Sequence, residues 1–310
     1  MKLVIIDTSC ILHQISHLLV TFGDNHESIY EYAYLALQWI DTLAFCPQWS
    51  AQRYDFKVLW ACDRKPYWRS DFEPEYKGHR GPPPFALEYV KRAFEDLRRE
   101  GKLIAMSLVG QEADDVAASV IRLRNQLPFD QYFLFTVDSD WQGLIVDTRI
   151  TWCDTVGHEP RVRTRHEAYS WLMSKHKKQS VRDQLLWPLP EQEEFVPEDI
   201  WNWKSAVGDA ADNLPAGTPP YLINLFHPPH EYDPVVRHRE SIMATISRLS
   251  RHTPTPPTDL EVTLHCYGVG LPLSVLSLSP GQVTRRPGSS NQNHHQPLPA
   301  AAVSKELMVN

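Results

Sequence analysis

Short apolar runs that each end at an aspartate recur through the first half of this chain. The three clearest cover residues 2–6, 56–62 and 132–137, and they are followed by Asp7, Asp63 and Asp138. Continuous apolar runs of this length are typical of strands that a parallel sheet buries on both faces. Amphipathic helical patterns lie between them. The order predicts an α/β fold with a central, mainly parallel sheet flanked by helices.

Acidic residues should gather at one edge of this sheet, because they follow the carboxyl ends of parallel strands. Ligands bind beyond this edge in such sheets. Residues 110–118 add three carboxylates at the start of an amphipathic helix, and a tight loop at 208–217 adds two more. Single acids of this kind often only cap helices or shape turns. The full candidate set comprises Asp7, Asp63, Glu112, Asp114, Asp115, Asp138, Asp140, Asp209 and Asp212.

So many acids in one cleft repel one another and resist desolvation, so they need cations to coexist. Oxygen-only ligands suit Mg²⁺ or Mn²⁺. Two such ions roughly 4 Å apart can stabilise both the attacking and the leaving oxygen of a phosphodiester. We therefore predict a two-ion centre for metal-assisted phosphodiester hydrolysis.

Composition limits the remaining possibilities. The net charge is −7, which speaks against bulk electrostatic binding of nucleic acid but not against a local basic groove. Five scattered cysteines without a CxxC pair indicate a reducing compartment. The chain opens on a strand rather than a signal peptide, and no apolar run is long enough for a bilayer. We expect a cytoplasmic monomer (in the host cytoplasm if viral) without membrane contact.

The chain divides into three predicted parts. Residues 1–155 form the catalytic core, interrupted by a basic and aromatic segment at 64–84 that ends in Gly-Pro-Pro-Pro. Residues 156–252 form a helical subdomain. Residues 253–310 are rich in Pro, Ser, Gln, Asn and His and read as a mostly disordered tail.

Five motifs, taken in order, resemble the flap endonuclease/5′-3′ exonuclease family, within the PIN-like nucleases and nearest to stand-alone bacteriophage exonucleases. The motifs cover residues 6–8, 63–80, 112–115, 136–141 and 208–213. The resemblance implies that Asp63, Glu112, Asp114 and Asp138 hold a first ion. Asp140, Asp209 and Asp212 would hold or orient a second, with Asp7 and Asp115 acting directly or through water.

The resemblance also implies a helical arch at 64–84 through which a 5′ strand passes. Lys77 and Arg80 would grip the scissile phosphate as catalytic residues, Arg69 a neighbouring phosphate, and Tyr76 would stack on a base. A helix–three-turn–helix at about 197–226 would hold the duplex. This chain has Gly-Thr-Pro-Pro at 217–220 where the family has Gly-Ile-Gly, and proline lacks the N–H donor, which speaks against the family's K⁺ site.

The predicted function is a structure-specific 5′ nuclease in DNA replication, repair or recombination. Its expected substrates are 5′ ends, flaps and nicks in DNA, with RNA–DNA hybrids such as primers as a further candidate. Three alternatives remain: a PIN-type ribonuclease, a metal-dependent phosphatase built on Asp138-x-Asp140, and a non-catalytic module that binds branched DNA.

Overall fold

A six-stranded sheet organises the chain. The structure is a computed structural model and describes residues 1–20, 25–42, 55–154, 161–178, 180–188 and 190–253. The strands are β1 (Lys2–Asp7), β2 (Phe56–Cys62), β3 (Ile104–Ser107), β4 (Gln131–Phe135), β5 (Ile150–Asp154) and β6 (Arg161–Arg163). Their spatial order is β3-β2-β1-β4-β5-β6. The first five are parallel and β6 pairs antiparallel with β5, which confirms the predicted mainly parallel sheet.

Helices cover both faces of this sheet. They are α1 (Thr8–Leu19), α2 (His26–Asp41), α3 (Leu87–Arg99), α4 (Ala113–Arg122), α5 (Arg165–His176), α6 (Val181–Leu186), α7 (Asp199–Val207) and α8 (Pro234–Arg251). Val4 and Ile6 of β1 share an apolar cluster with α1, α2 and α3, whereas Leu3 and Ile5 share another with α4 and α8. This alternation follows from the two-residue period of a strand. None of the helices in the described part of the chain combines the length and apolarity that crossing a membrane needs.

The sheet reverses its direction of growth between β1 and β4. The chain first adds β2 and β3 on one side of β1, then returns to add β4 and β5 on the other. Such a reversal leaves a crevice beyond the carboxyl ends of the two strands. Asp7 ends β1 and Asp138 follows β4, so the topology brings both acids to this crevice.

After β4 the chain forms a 3-10 helix, Ser139–Leu144. The predicted helix–three-turn–helix at about 197–226 differs in the structure, because its second helix, expected over 221–226, is only a 3-10 turn, Pro220–Leu222. There the Leu222 carbonyl accepts from Arg69 Nε at 2.8 Å, and the Asn224 side chain accepts from the Phe226 N–H at 2.9 Å. Both bonds compete with helical pairing, so the second helix of the predicted helix–three-turn–helix does not form.

The predicted helical arch also differs. Residues 64–84 contain a 3-10 turn at Trp68–Asp71 and further turns, and the segment lies against the body of the protein. Its backbone is held there by bonds from the Trp68 N–H to the Gly110 carbonyl (3.1 Å) and from the Lys77 N–H to the Asp212 carbonyl (3.0 Å). We call residues 64–84 the basic segment.

The helices of the second half share the core of the first. Leu172, Trp201 and Ile246 belong to the same apolar cluster as Leu3 and Ile5 of β1. The division into 1–155 and 156–252 therefore stays a prediction. The predicted tail, apart from its first residue, lies outside the described residues.

Candidate active site

Asp7 stands where β1 passes into α1. Its Oδ1 accepts from the Cys10 N–H at 3.1 Å and so caps the helix, and its Oδ2 accepts from the Thr136 hydroxyl at 2.8 Å. Burial, together with the charges of Asp63 and Asp138, raises the pKa of the Asp7 carboxyl to about 7, although the two hydrogen bonds lower it. This aspartate is therefore costly to ionise where it stands.

Asp138 lies beside Asp7 because Thr136 holds both. The Thr136 hydroxyl, which donates to Asp7, also accepts from the Asp138 N–H at 3.0 Å. Asp138 Oδ1 in turn accepts from the Asp140 N–H at 3.0 Å, which shapes the turn after β4. A buried threonine thus fixes the spacing of two acids across the β1–β4 crevice.

Two more acids approach from α4 and β2. Asp114 Oδ1 accepts from Trp141 Nε1 at 2.6 Å. Burial, followed by the charge of Asp138, raises the pKa of Asp114 well above its usual value. Asp63 is exposed at the rim and accepts from Ser9 Oγ at 2.5 Å and from the Ala113 N–H at 2.8 Å.

These four acids share one property: each of the hydrogen-bond donors just described is neutral. They are backbone N–H groups, two hydroxyls and an indole. We call the four the open acidic group; its members are Asp7, Asp63, Asp114 and Asp138.

Glu112 and Asp115, one turn apart on the same helix, are instead compensated by cations. Arg69 donates to both Asp115 oxygens at 2.8 Å and to Glu112 Oε2 at 3.0 Å. Lys77 Nζ donates to Glu112 Oε1, and the Tyr76 hydroxyl donates to Oε2 at 2.6 Å. Burial would raise the pKa of Glu112, but the charges of Lys77 and Arg69 outweigh it and hold that pKa below its ordinary value.

The acids expected to hold a second ion are compensated in the same way. Asp212 accepts from Arg80 at 2.9 Å, and its other oxygen lies 3.6 Å from Lys77 Nζ. Asp140 and Asp209 share the ammonium of Lys204, which lies 2.8 Å from Asp209 Oδ2. The resulting paired acidic group consists of Glu112, Asp115, Asp140, Asp209 and Asp212.

Lys204 is the site residue that the sequence analysis missed. Burial opposes its charge, yet Asp140 and Asp209 together raise its pKa above the ordinary value. A signal was present in the sequence. Lys204 lies three residues after Trp201, on the same side of a predicted helix, and five before Asp209.

Helix α7 carries Lys204 into the site through Trp201. The Trp201 indole N–H donates to the Asp140 carbonyl at 3.0 Å. Its ring occupies the space that a side chain at position 143 would need: a Cβ at Gly143 would lie 2.4 Å from Trp201 Cε2. This close approach docks α7 on the 3-10 helix that carries Asp140.

The nine acids therefore do not form one uniform metal cluster. Among the residues that the structure describes, no three Asp, Glu, His or Cys side chains are arranged ready to hold an ion. The open acidic group offers the carboxylate oxygens that a hard divalent cation prefers, and the hydrogen bonds described above come from neutral donors. In the paired acidic group the same oxygens already face ammonium or guanidinium groups.

Two expected DNA contacts have different surroundings in the structure. Arg69 is only 2% exposed and Tyr76 only 6%, and both face carboxylates rather than solvent. In this arrangement Arg69 does not reach a phosphate and Tyr76 presents no free face to a base. Lys77 is largely enclosed, whereas 57% of the Arg80 side chain is accessible.

Known proteins resemble this chain. The flap endonuclease of Escherichia phage T5 is 26% identical over 163 residues, and the matched stretch covers 48% of this chain and 47% of that protein. The chain thus spans about half the length of this curated relative. A phage T5 protein co-crystallised with metal ions has a TM-score of 0.48 at 16% identity, over 81% of this chain and 98% of that one. A phage T5 flap endonuclease variant in complex with DNA and metal ions has a TM-score of 0.43 at 18% identity, over 80% and 89%.

The family comparison covers more of the chain. Residues 2–177 match the family described as the 5′-3′ exonuclease, N-terminal resolvase-like domain. The match includes every strand described above and the whole open acidic group. The chain therefore belongs to the 5′-3′ exonuclease family.

Proposed function

We propose that this chain is a metal-dependent, structure-specific 5′ nuclease that hydrolyses phosphodiesters of DNA at 5′ ends, flaps or nicks. The observation that carries the proposal is the open acidic group. Mutually repelling carboxylates at the switch point of a parallel sheet, with Asp7 buried and Asp114 and Asp138 partly buried, are costly to keep in a metal-free protein. Family membership and the similarity to a phage flap endonuclease support the same activity.

Asp7, Asp114 and Asp138 would bind the ion directly or through water, with Asp63 and Glu112 at the margins. Mg²⁺ or Mn²⁺ suits this set of oxygen donors. When bound, the ion supplies a more acidic water and stabilises the charge that develops on the phosphate. Thr136 and Trp141 would keep Asp7 and Asp114 oriented, because each donates a hydrogen bond to one carboxylate oxygen.

The basic segment would meet the substrate. Arg80 is accessible, and Lys77 lies beside it above the paired acidic group. We assign both to the scissile phosphate, where cations offset the charge of the transition state. For Arg69 and Tyr76 to contact DNA, the basic segment would have to leave the conformation described here. RNA–DNA hybrids are a further candidate substrate, and a monomer is the expected form.

The test uses two 5′-labelled DNA substrates, a flap duplex and a blunt duplex, each with Mg²⁺ and with EDTA. Release of a short oligonucleotide at the flap junction with Mg²⁺ alone would support flap endonuclease activity. Release of mononucleotides from the blunt end would support a chiefly exonucleolytic enzyme. Uncleaved DNA in both reactions, from folded protein, would contradict the proposal.

A further inference from the structure

Lys204 occupies the place where the family resemblance would put a second divalent ion. Its ammonium lies between Asp140 and Asp209, two of the three acids assigned to that ion. The third, Asp212, is directed elsewhere, toward Tyr76, Lys77 and Arg80. The carboxylate oxygens of this second set would suit a divalent ion by their chemistry. In the arrangement described here they do not fit one, because cationic side chains are already paired with them.

The lysine is built into the site rather than resting on its surface. Its side chain is 12% exposed, and the Asp140 and Asp209 side chains are 12% and 8% exposed. The remaining Asp209 oxygen, Oδ1, accepts from the Ala211 N–H at 3.0 Å. Trp201 and Gly143 fix the helix that carries the lysine. Displacing the Lys204 side chain from Asp140 and Asp209 would therefore require free energy.

A divalent ion and this ammonium compete for the same oxygens. Magnesium needs ligands at about 2.0–2.1 Å in near-octahedral geometry. With Lys204 in place, the ion would meet a like charge within a few ångströms in a poorly solvated site, where repulsion is strong. The open acidic group has no such competitor among its described donors.

We propose that Lys204 acts as a built-in cation at the second subsite, so that the chain binds one divalent ion tightly and admits a second only when the lysine is displaced. Lys204 is then a residue that determines ion number and affinity. The inference rests on the proposed function, because it takes the open acidic group as the tight site.

The test counts bound ions in the absence of DNA, by titrating the whole protein with Mn²⁺ and measuring free Mn²⁺ by electron paramagnetic resonance. Wild-type protein should bind one ion tightly. Lys204→Met, which keeps the length of the side chain and removes its charge, should bind a second ion more tightly than wild type, by a factor on the order of ten or more. Lys204→Arg keeps the charge and should behave as wild type.

Lys102→Met provides the matched control. Lys102 pairs with Glu100 at 2.9 Å on the surface, outside the site, so its loss should leave ion binding unchanged. Two ions of equal affinity in wild type, or the same single ion in Lys204→Met, would overturn this inference alone. If neither the wild-type protein nor any of the folded variants binds Mn²⁺, the proposed function is overturned as well.

A second measurement needs only the wild-type protein, in case Lys204→Met does not fold. Limited acetylation with acetic anhydride, read by peptide mass spectrometry, reports how accessible each amine is. Lys204 should react slowly without metal and with one equivalent of Mg²⁺, and several-fold faster at saturating Mg²⁺. Unchanged reactivity at saturation would contradict displacement of the lysine.

Discussion

The open and the paired acidic groups are built from the same kind of side chain but offset its charge in opposite ways. In the open group, backbone N–H groups, hydroxyls and an indole hold the carboxylates, and burial raises the pKa of Asp7 to about 7. In the paired group, arginine and lysine hold them. Their charges keep the pKa of Glu112 below its ordinary value, whereas burial still raises the pKa of Asp140 to about 7 despite Lys204. The hydrogen-bond donors of the open group are neutral, whereas the paired group is held by cationic side chains.

The cations of the paired group come from distant parts of the chain. Arg69, Lys77 and Arg80 lie in the basic segment, and Lys204 lies on α7, yet both sources converge on acids of α4 and of the loops after β4 and α7. A carboxylate near the crevice is therefore not by itself evidence of a metal ligand. What distinguishes the two groups is the charge of the donors that tertiary packing brings to them.

The largest expected effect is on catalysis by the open group. Asp138→Ala should lower DNA cleavage by about 10⁴-fold or more, because a proposed ion ligand is lost, while DNA binding persists. A gel-based cleavage assay and a binding titration in Ca²⁺ measure the two. Asp147→Ala is the control, since Asp147 pairs with Arg124 and Arg149 outside the site. Full cleavage by Asp138→Ala would contradict the assignment of the catalytic ion to the open acidic group.

The paired group should instead matter for stability. Asp115→Asn leaves Arg69 buried with one charge partner fewer, and should lower the free energy of unfolding by about 3–5 kcal/mol in urea denaturation. Asp114→Asn, in the open group, should leave metal-free stability unchanged or higher, because it removes a repelling charge. Arg98→Met breaks an exposed pair and should cost less than about 1 kcal/mol. Equal losses for Asp115→Asn and Asp114→Asn would contradict the comparison.

Asp41 lies outside both acidic groups and shows the effect of burial on the pKa of an aspartate. It accepts from Trp60 Nε1 at 2.8 Å in the core, and burial raises its pKa from 3.8 to about 7. Between these values the folded state holds a proton that the unfolded state has lost, so stability falls as the pH rises from about 4 to about 7.

Asp41→Asn removes that pH dependence. Because asparagine cannot ionise, the variant should gain up to about 4 kcal/mol over wild type at pH 8 and little at pH 4. Thermal unfolding across pH, with and without Mg²⁺, measures this gain. Mg²⁺ should leave the Asp41 contribution unaltered, and a gain that disappears with Mg²⁺ would tie Asp41 to the metal site.

The smallest expected effect is stabilisation by the ion itself. Mg²⁺ at about 100 times its dissociation constant should stabilise the protein by about 2.7 kcal/mol, since it binds the folded state. Asp114→Asn should lose most of this gain in a thermal shift experiment, whereas Asp147→Ala should keep it. A variant of the open group that retains the full shift would place the ion elsewhere.

Much of the fold was predictable because its signals are local. Apolar runs located β1, β2 and β4 together with Asp7, Asp63 and Asp138. Gly208 ends α7 with a positive φ of 91°, which glycine adopts without a steric penalty. The helix expected over 221–226 did not form, because its carbonyl at Leu222 bonds Arg69 from 153 residues away. Local sequence patterns cannot predict a hydrogen bond between residues so far apart in the chain.

The sequence by itself determined which residue types end each strand, and hence that acids gather at the carboxyl edge of a parallel sheet. Only the tertiary structure decided which of those acids keep neutral partners and which are paired. That outcome depends on Arg69, Lys77 and Lys204, whose charges reach the acids across gaps of 43, 35 and 64 positions (Lys204 to Asp140, 204 − 140). Strand and helix periodicity act over a few residues, whereas the pKa of a buried acid depends on whatever charge packing brings beside it.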